Sequence, residues 1–406
     1  MIYFKLAWKN IWRNKRRSFI TIGSVLFAVF FAIFMRSMQL GMYSKMIDSV
    51  VRSYYGYVQL HAKGYWEEQS LENTFERNTV DEKNISQSLN VLNVIPRLEG
   101  FALLSAGNQV RGVSLAGIVP ETENELSGLK TKIVQGNYLS DNSNAIIIGQ
   151  GLAEQLNLHV KDTLAMISQG YHAVSASGKF IVKGIAKFSS AQINNTAVFA
   201  SLPAVQEFYA TGNRLTSYAL QLKEGSDTKE TINALAAFAN QDVYEILPWE
   251  EMLPELVQII QADSSGGEIM VFILYMVISF GIFGTILMMI AERQYEFGIL
   301  LSIGMGRVKL IFVLLLESVM ITLIGVLSGI ILSRPFMHYF NAHPITLTGK
   351  AADTLRKFGF EPEMPTLLDF SVPVTHGTAV LIIALTLSLY SVFSILKLDP
   401  VKAAKR

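Results

Sequence analysis

Four apolar runs, at residues 19–38, 269–290, 308–333 and 374–396, stand one and three around a polar stretch of about 230 residues. Each run holds about 20 mostly apolar residues. An α-helix rising 1.5 Å per residue needs that length to cross a hydrocarbon core about 30 Å thick. The polar stretch, 41–268, is as long as one or two folded domains. The pattern predicts a polytopic α-helical membrane protein. Its four transmembrane helices lie at 18–40, 269–290, 308–333 and 374–396, and a large α+β extracytoplasmic domain, 41–268, lies between the first and second. The remaining segments are an amphipathic cytoplasmic interfacial helix at 1–17, a cytoplasmic connection at 291–307, an extracytoplasmic loop at 334–373 and a cytoplasmic tail at 397–406.

Within 1–17, Phe4, Ala7, Trp8, Ile11 and Trp12 recur at helical spacing, with Lys5, Lys9 and Arg13 off the stripe. Two tryptophans opposite a basic face suit a helix lying in the headgroup layer. Inside 41–268, residues 55–61, 97–105, 110–119, 145–148, 163–168, 179–188, 218–222 and 243–247 read as strands. The segments 97–105 and 110–119 form a hairpin about Gly107 and Asn108. Residues 152–158, 203–209, 227–240 and 249–262 read as helices. The strands and helices of about 100–225 form a porter-like part inserted in a second subdomain. The run 263–267, Asp-Ser-Ser-Gly-Gly, breaks the helical pattern before the second span, as a hinge or as a helix end followed by a new start.

Charge orients the spans. Lys5, Lys9, Arg13, Lys15, Arg16 and Arg17 precede the first span. Arg293, Arg307 and Lys309 join the second to the third, and Lys397, Lys402, Lys405 and Arg406 follow the fourth. Short basic flanks stay in the cytoplasm, so both termini are expected inside and 41–268 outside. The inserted stretch has 25 acidic against 16 basic residues, a net −9 hidden in a chain total of +1. The basic residues flank spans and form no patch for nucleic acid. The first run is too long for a signal-peptide core, and Arg36, Met38 and Gln39 follow it where small residues would mark cleavage, so it is expected to remain as an anchor. The chain has no cysteine, so the inserted domain must be held by its own core.

Chemistry-bearing motifs are scarce. No G-x-x-x-x-G-K-[ST] occurs, so the chain has no phosphate cradle of its own. His338 and His343 lack a third neighbouring ligand, and no metal site is expected. No Ser/His/Asp arrangement follows from spacing, and an enzymatic role is not expected. In the membrane, Phe27, Phe30, Phe31 and Phe34 form a helical stripe with Met35 and Met38 below it. The stripe faces lipid or a neighbouring helix, or lines a cavity for an acyl chain. Gly325 and Gly329 allow close helix approach, as do Gly281 and Gly284. Glu317, about ten residues into the third span, must face protein or water.

The connection after the second span reads Ala-Glu-Arg-Gln-Tyr-Glu-Phe-Gly-Ile-Leu-Leu-Ser-Ile-Gly-Met-Gly over 291–306. Tyr295, Ile299 and Ile303 recur every fourth residue, as in a short amphipathic helix that docks in a partner's groove. This segment resembles the coupling helix of the FtsX-like permease family of ABC transporters. The basic start with Ala7, Asn10, Ile11 and Arg13–Arg17, the run 146–164 with Gly149, Gly151, Leu152 and Ala153, the Leu-Leu-Glu-Ser before Gly325 and Gly329, and the tail with Pro400 resemble the same family. Within it the chain is most similar to the lipoprotein-releasing permeases LolC and LolE.

The resemblance implies a MacB/LolC-like domain and a second permease subunit, a copy or a paralogue. It also implies a cytoplasmic ATPase dimer that carries ATP and magnesium, with no cofactor on this chain. Glu292, Arg293, Glu296, Phe297, Gly298, Ser302 and Gly304 would couple to the ATPase. The implied function is extraction of lipoproteins from the inner membrane. The alternatives are MacB-like export of peptides or drugs, or FtsX-like control of cell-wall hydrolases. The cargo cavity falls to Phe30, Phe31, Phe34, Met35 and Met38 with Ile269, Phe272 and Met276. In lipoprotein-releasing permeases a protruding hairpin receives a periplasmic chaperone. The matching position, 167–179, is short and lacks proline, and Ser168, Gln169, Gly170, Tyr171 and His172 are the contact it implies.

Overall fold

A computed structural model describes residues 2–399 apart from 80–81, 108, 141–143, 224, 351, 353–354 and 356–359. Asn108 of the expected turn, and Pro400, Lys402, Lys405 and Arg406 of the expected tail, lie outside the described residues. The chain divides into two compact units. A membrane unit comprises Met1–Ser44, Ile260–Ile345 and Glu363–Arg406, and an inserted domain comprises Lys45–Ile259 and Thr346–Pro362.

The membrane unit is built on α1 (Ile2–Arg13), α2 (Lys15–Ile47), α3 (Pro254–Ser302), α4 (Arg307–Ala342) and α5 (Ser371–Leu396). The last four are long and apolar enough to cross a membrane. They outrun the apolar stretches. Helix α2 continues past residue 40 and into π-helical turns at Asp48–Tyr55, and α4 continues past 333 to Ala342. Hydropathy marks where lipid contact ends, whereas backbone hydrogen bonding continues as long as side chains find partners.

The break expected at 263–267 is absent, and α3 runs through it as helix. Gln39 donates to the Asp263 carbonyl and carboxylate, and Tyr43 donates to the same carboxylate at 2.7 Å. A Cβ on Gly267 would sit 2.7 Å from the Gln39 amide carbon. The glycine there permits close packing on α2 rather than bending.

Helix α4 is the centre of the unit. Half of its apolar window is buried, against 17% for α3. A Cβ on Gly325 would lie 2.7 Å from the Val25 Cβ, and one on Gly329 would lie 2.8 Å from the Leu26 carbonyl oxygen. These two glycines therefore seat α2 on α4. Gly281 and Gly284, expected to do the same for the second span, have nothing within 4 Å of such a Cβ. Helix α1 lays Ala7 and Ile11 on Met320 and Ile321 of α4 and leaves Phe4, Trp8 and Trp12 exposed. The expected stripe is thus two faces, one for protein and one bearing both tryptophans. Residues 365–367 close over α2 and α4: the Leu367 N–H donates to the Ser37 carbonyl, and Thr366 donates to the Met337 carbonyl.

Among the described residues of Lys45–Ile259 there are twelve strands: β1 (Val58–Ala62), β2 (Phe75–Glu76), β3 (Val91–Ala106), β4 (Gln109–Ile118), β5 (Ile133–Gly136), β6 (Ala145–Gly149), β7 (Thr163–Gln169), β8 (Ser175–Ala186), β9 (Ala197–Ser201), β10 (Arg214–Leu215), β11 (Ser217–Leu222) and β12 (Tyr244–Pro248). The main sheet runs β12-β1-β11-β3-β4-β9-β6-β8-β5, and β7 joins β3 to β8. Pairing therefore closes β3-β4-β9-β6-β8-β7 into a ring of six strands, a device that removes free edges. The expected hairpin is β3–β4, in register from Arg97↔Ile118 to Ala106↔Gln109.

Strand β3 serves both halves. It pairs β11 through Arg97 and β7 from Leu103. Strand β11, expected inside the middle part, pairs with β1 and the first half of β3, so the inserted part ends before it. At the junction Arg97 meets Glu123 through two bonds of 2.9 and 2.8 Å, both side chains 0% exposed, with the guanidinium over the Tyr54 ring. Burial alone would favour a neutral Arg97, but the Glu123 and Glu99 charges outweigh it and hold it charged.

Candidate functional site at the helical turn 303–306

The segment expected to form a separate short helix is the unbroken end of α3. It stops at Gly304, whose φ of +101° is open to glycine. The Gly304 N–H donates to Leu301 O and the Met305 N–H to Leu300 O. These paired bonds close a helix on its own last carbonyls. Arg307, opening α4, donates to the carbonyl of Leu398, two residues beyond the end of α5.

Beneath this turn lies a core of Met289, Phe297, Leu310, Leu314, Ile395 and Leu398. Phe297 is 1% exposed and Gly298 is also buried. Both were expected to face the ATPase; in this chain both are buried, and Phe297 packs the end of α3 on α4 and on Ile395 of α5. Ser302 and Gly304 are exposed, and Tyr295, Leu300, Ile303 and Val308 beside them are open to contact, with exposed Arg307 and Lys309 flanking Val308. Ile303 and Val308 are 80% and 78% exposed. Their hydrophobicity offered a signal in the sequence, masked because the same residues also fit a core-facing stripe.

Glu292, Arg293 and Glu296 join a set of charges that spacing alone did not assemble. The Glu317 carboxylate, 0% exposed, accepts from Arg293 at 2.9 Å and from Arg17 at 3.1 Å. Arg17 reaches Glu292 at 3.5 Å. Arg293 reaches Glu296 at 3.1 Å, and Glu296 accepts from Arg13 at 2.5 Å. Glu317 thus faces protein and is doubly paired, which compensates its burial. A second pair missed in the sequence joins α3 to α5: Tyr275 Oη and His376 Nδ1 are 2.6 Å apart.

The residues expected to line a cargo cavity fall in two groups. Phe30 and Phe34 stack on one another and pack edge-on against Phe336 and Phe340 of α4. Phe31, Met35, Ile269, Phe272 and Met276 are exposed, and Met38 is half-buried.

The β7–β8 hairpin, expected as a chaperone contact, turns through 170–174. Its tip is tied to its own domain: the His172 N–H donates to Glu72 at 2.7 Å, and Tyr171 lies under the Arg214 guanidinium. Ser168, Gln169 and Gly170 line a cavity of about 610 Å³ with Leu71, Phe101 and Ile167. Among the described residues no three His, Cys, Asp or Glu side chains gather as metal ligands.

Comparison with known families places these features. The FtsX-like permease C-terminal model matches residues 268–400, and the MacB-like periplasmic core domain model matches residues 18–238. The lipoprotein-releasing system transmembrane protein LolC of Neisseria meningitidis serogroup B is 22% identical over 248 residues, 59% of this chain and 60% of that protein. The chain therefore spans about 60% of the length of that relative. An uncharacterised ABC transporter permease of Methanocaldococcus jannaschii is 23% identical over 49% of this chain and 50% of its own. The periplasmic region of MacB from Actinobacillus actinomycetemcomitans superposes with a TM-score of 0.37 at 14% identity, covering 52% of this chain and 98% of that one. With more than half of its residues inside one family model and its last three spans inside the other, the chain belongs to the FtsX-like permease family of ABC transporters and carries a MacB-like periplasmic core domain.

Proposed function

We propose that this chain is the permease subunit of an ABC transporter that extracts acylated proteins from the inner membrane, driven by a separate ATPase docking on the turn 303–306. The carrying observation is the pairing of an exposed apolar tip, Leu300, Ile303 and Val308, with a rigid base formed by Phe297 and its neighbours. A partner pushing such a tip moves helices instead of deforming a loop. Both termini lie in the cytoplasm and the inserted domain in the periplasm, a reading supported by the basic flanks. A second permease subunit covers part of α3, the least buried span. The LolC likeness supports a lipoprotein as cargo. The MacB-like core supports export of a peptide or drug as the second reading.

Cargo contact is tested by photocrosslinkers at Phe31 and Phe272, both exposed, with Ile382 on α5 as an exposed control. In the nucleotide-free complex the first two positions should capture an acylated protein, because each CH₂ left in water costs about 0.8 kcal/mol. Capture of a non-acylated peptide would favour the second reading. Equal capture at Ile382 would remove the cargo path.

A further inference from the structure

Six side chains form an alternating line of charge: Glu292, Arg17, Glu317, Arg293, Glu296, Arg13, each within 3.5 Å of the next. Three are positive and three negative, so the line is neutral as a whole. Its members come from α1, the first turn of α2, the last turns of α3 and the first third of α4. The inner part is buried. Glu317 is 0% exposed and Arg17 and Arg293 are below 10%, while Arg13 and Glu296 at the outer end are half open to solvent. A buried carboxylate shared by two guanidiniums resists separation from either, because each departure strands a charge without water to receive it. Surface pairs such as Arg13–Glu296 contribute little alone. Here that pair is the outer end of a buried line.

The apolar contacts between these elements are uneven. Helix α1 rests on α4 through Ala7, Ile11, Met320 and Ile321, and the end of α3 rests on α4 and α5 through the Phe297 core. Neither cluster includes both α1 and α3. The charge line supplies the direct bond between them, through Arg13–Glu296, and joins the base of α2 to α3 through Arg17–Glu292.

We propose that Glu317 is the pivot of a link that makes α1, the base of α2 and the α3 segment 292–296 move as one body, with Arg17 and Arg293 as its positioning residues. Resting on the reading that an ATPase drives the turn 303–306, the link passes that stroke to the first span. Without it α1 keeps only its apolar seat on α4, and the base of α2 is driven only through the apolar packing of Val25, Val29 and Ile33 higher on that helix.

The chain has no native cysteine, so spin labels can be placed at will. Labels at Lys9 on α1 and Ser302 on α3, in the full chain in nanodiscs without ATPase, should give one narrow distance distribution by pulsed electron spin resonance. Glu317→Gln should broaden it, Arg17→Gln should broaden it similarly, and the double variant should be no broader than either alone, because both cut the same link. Glu317→Asp, which keeps the charge, should restore much of the narrow component. A second label pair at Phe31 and Leu332, away from the charges, should be unchanged and would show that the helices remain packed. A narrow Lys9–Ser302 distribution in Glu317→Gln, with the Phe31–Leu332 pair also intact, would overturn the link.

The functional reading is tested separately. In the complex with its ATPase, Glu317→Gln should keep ATP hydrolysis and lower cargo release by about tenfold, a coupling of ordinary size. Intact cargo release with a broadened distribution would overturn the role of the link in transmission and leave the ATPase reading standing.

Discussion

His61 shows how far one side chain can be read. It is fully buried beside Tyr65, and its Nδ1 donates to the Thr216 carbonyl at 3.1 Å. Burial pushes its pKa down to about 4. The folded domain therefore holds it neutral, while the unfolded chain binds a proton below about 6.5. Its contribution is full above that pH and is lost as pH falls towards about 4. The expected cost over that window is about 3 kcal/mol. Unfolding of the whole chain in detergent at pH 7 and pH 4.5 should show the loss, and His61→Gln should flatten it. An unchanged slope in the variant would assign the pH dependence elsewhere. None of this was legible in the sequence. A single histidine in a strand carries no mark of its burial, just as Arg97 and Glu123, 26 positions apart, carry no mark of their pairing. Glu317 was legible by depth, but its partners were not. Arg17 is 300 positions away and reads, in sequence, as one of several basic flanking residues.

At the scale of elements the record is better. The spans, the β3–β4 hairpin and the Gly325/Gly329 face could all be read, because each depends on periodicity within one segment. The ends of α2 and α4 could not, since side-chain partners beyond the lipid extend both helices. The glycines separate in the same way. Gly325→Leu would drive a side chain into Val25, and overpacking of this kind costs about 1–3 kcal/mol. Gly281→Leu, with open space around it, should be close to neutral. Denaturation in mixed micelles compares the two. A Gly325→Leu chain as stable as the parent would mean that α2 and α4 repack without their close contact.

For the whole molecule, orientation is the open quantity that charge alone predicts. Cysteines at Glu154, on the helix Gln150–Leu156, and at Ser302 should label from opposite faces of the membrane, Glu154 from outside. Labelling of both from one side would reverse the reading of the basic flanks. The six-stranded ring was not legible, because β7 closes it by pairing with β3 some 60 residues earlier. Strand detection finds β7 without finding its neighbour.

The unbroken run of α3 from Pro254 to Ser302 has a further consequence. A helix of that length is about 74 Å of shaft, and every residue in it turns the chain by about 100°. Substitution along the shaft changes a surface, but insertion or deletion changes its phase. One added residue would swing everything beyond it by more than a quarter turn, so that the Asp263 contacts to Gln39 and Tyr43 and the seating of Phe297 could not both be kept. Seven added residues would bring the phase back to within about 20°. The shaft can therefore drift in composition while its length is held fixed, and any natural change of length in it should come in steps close to whole turns.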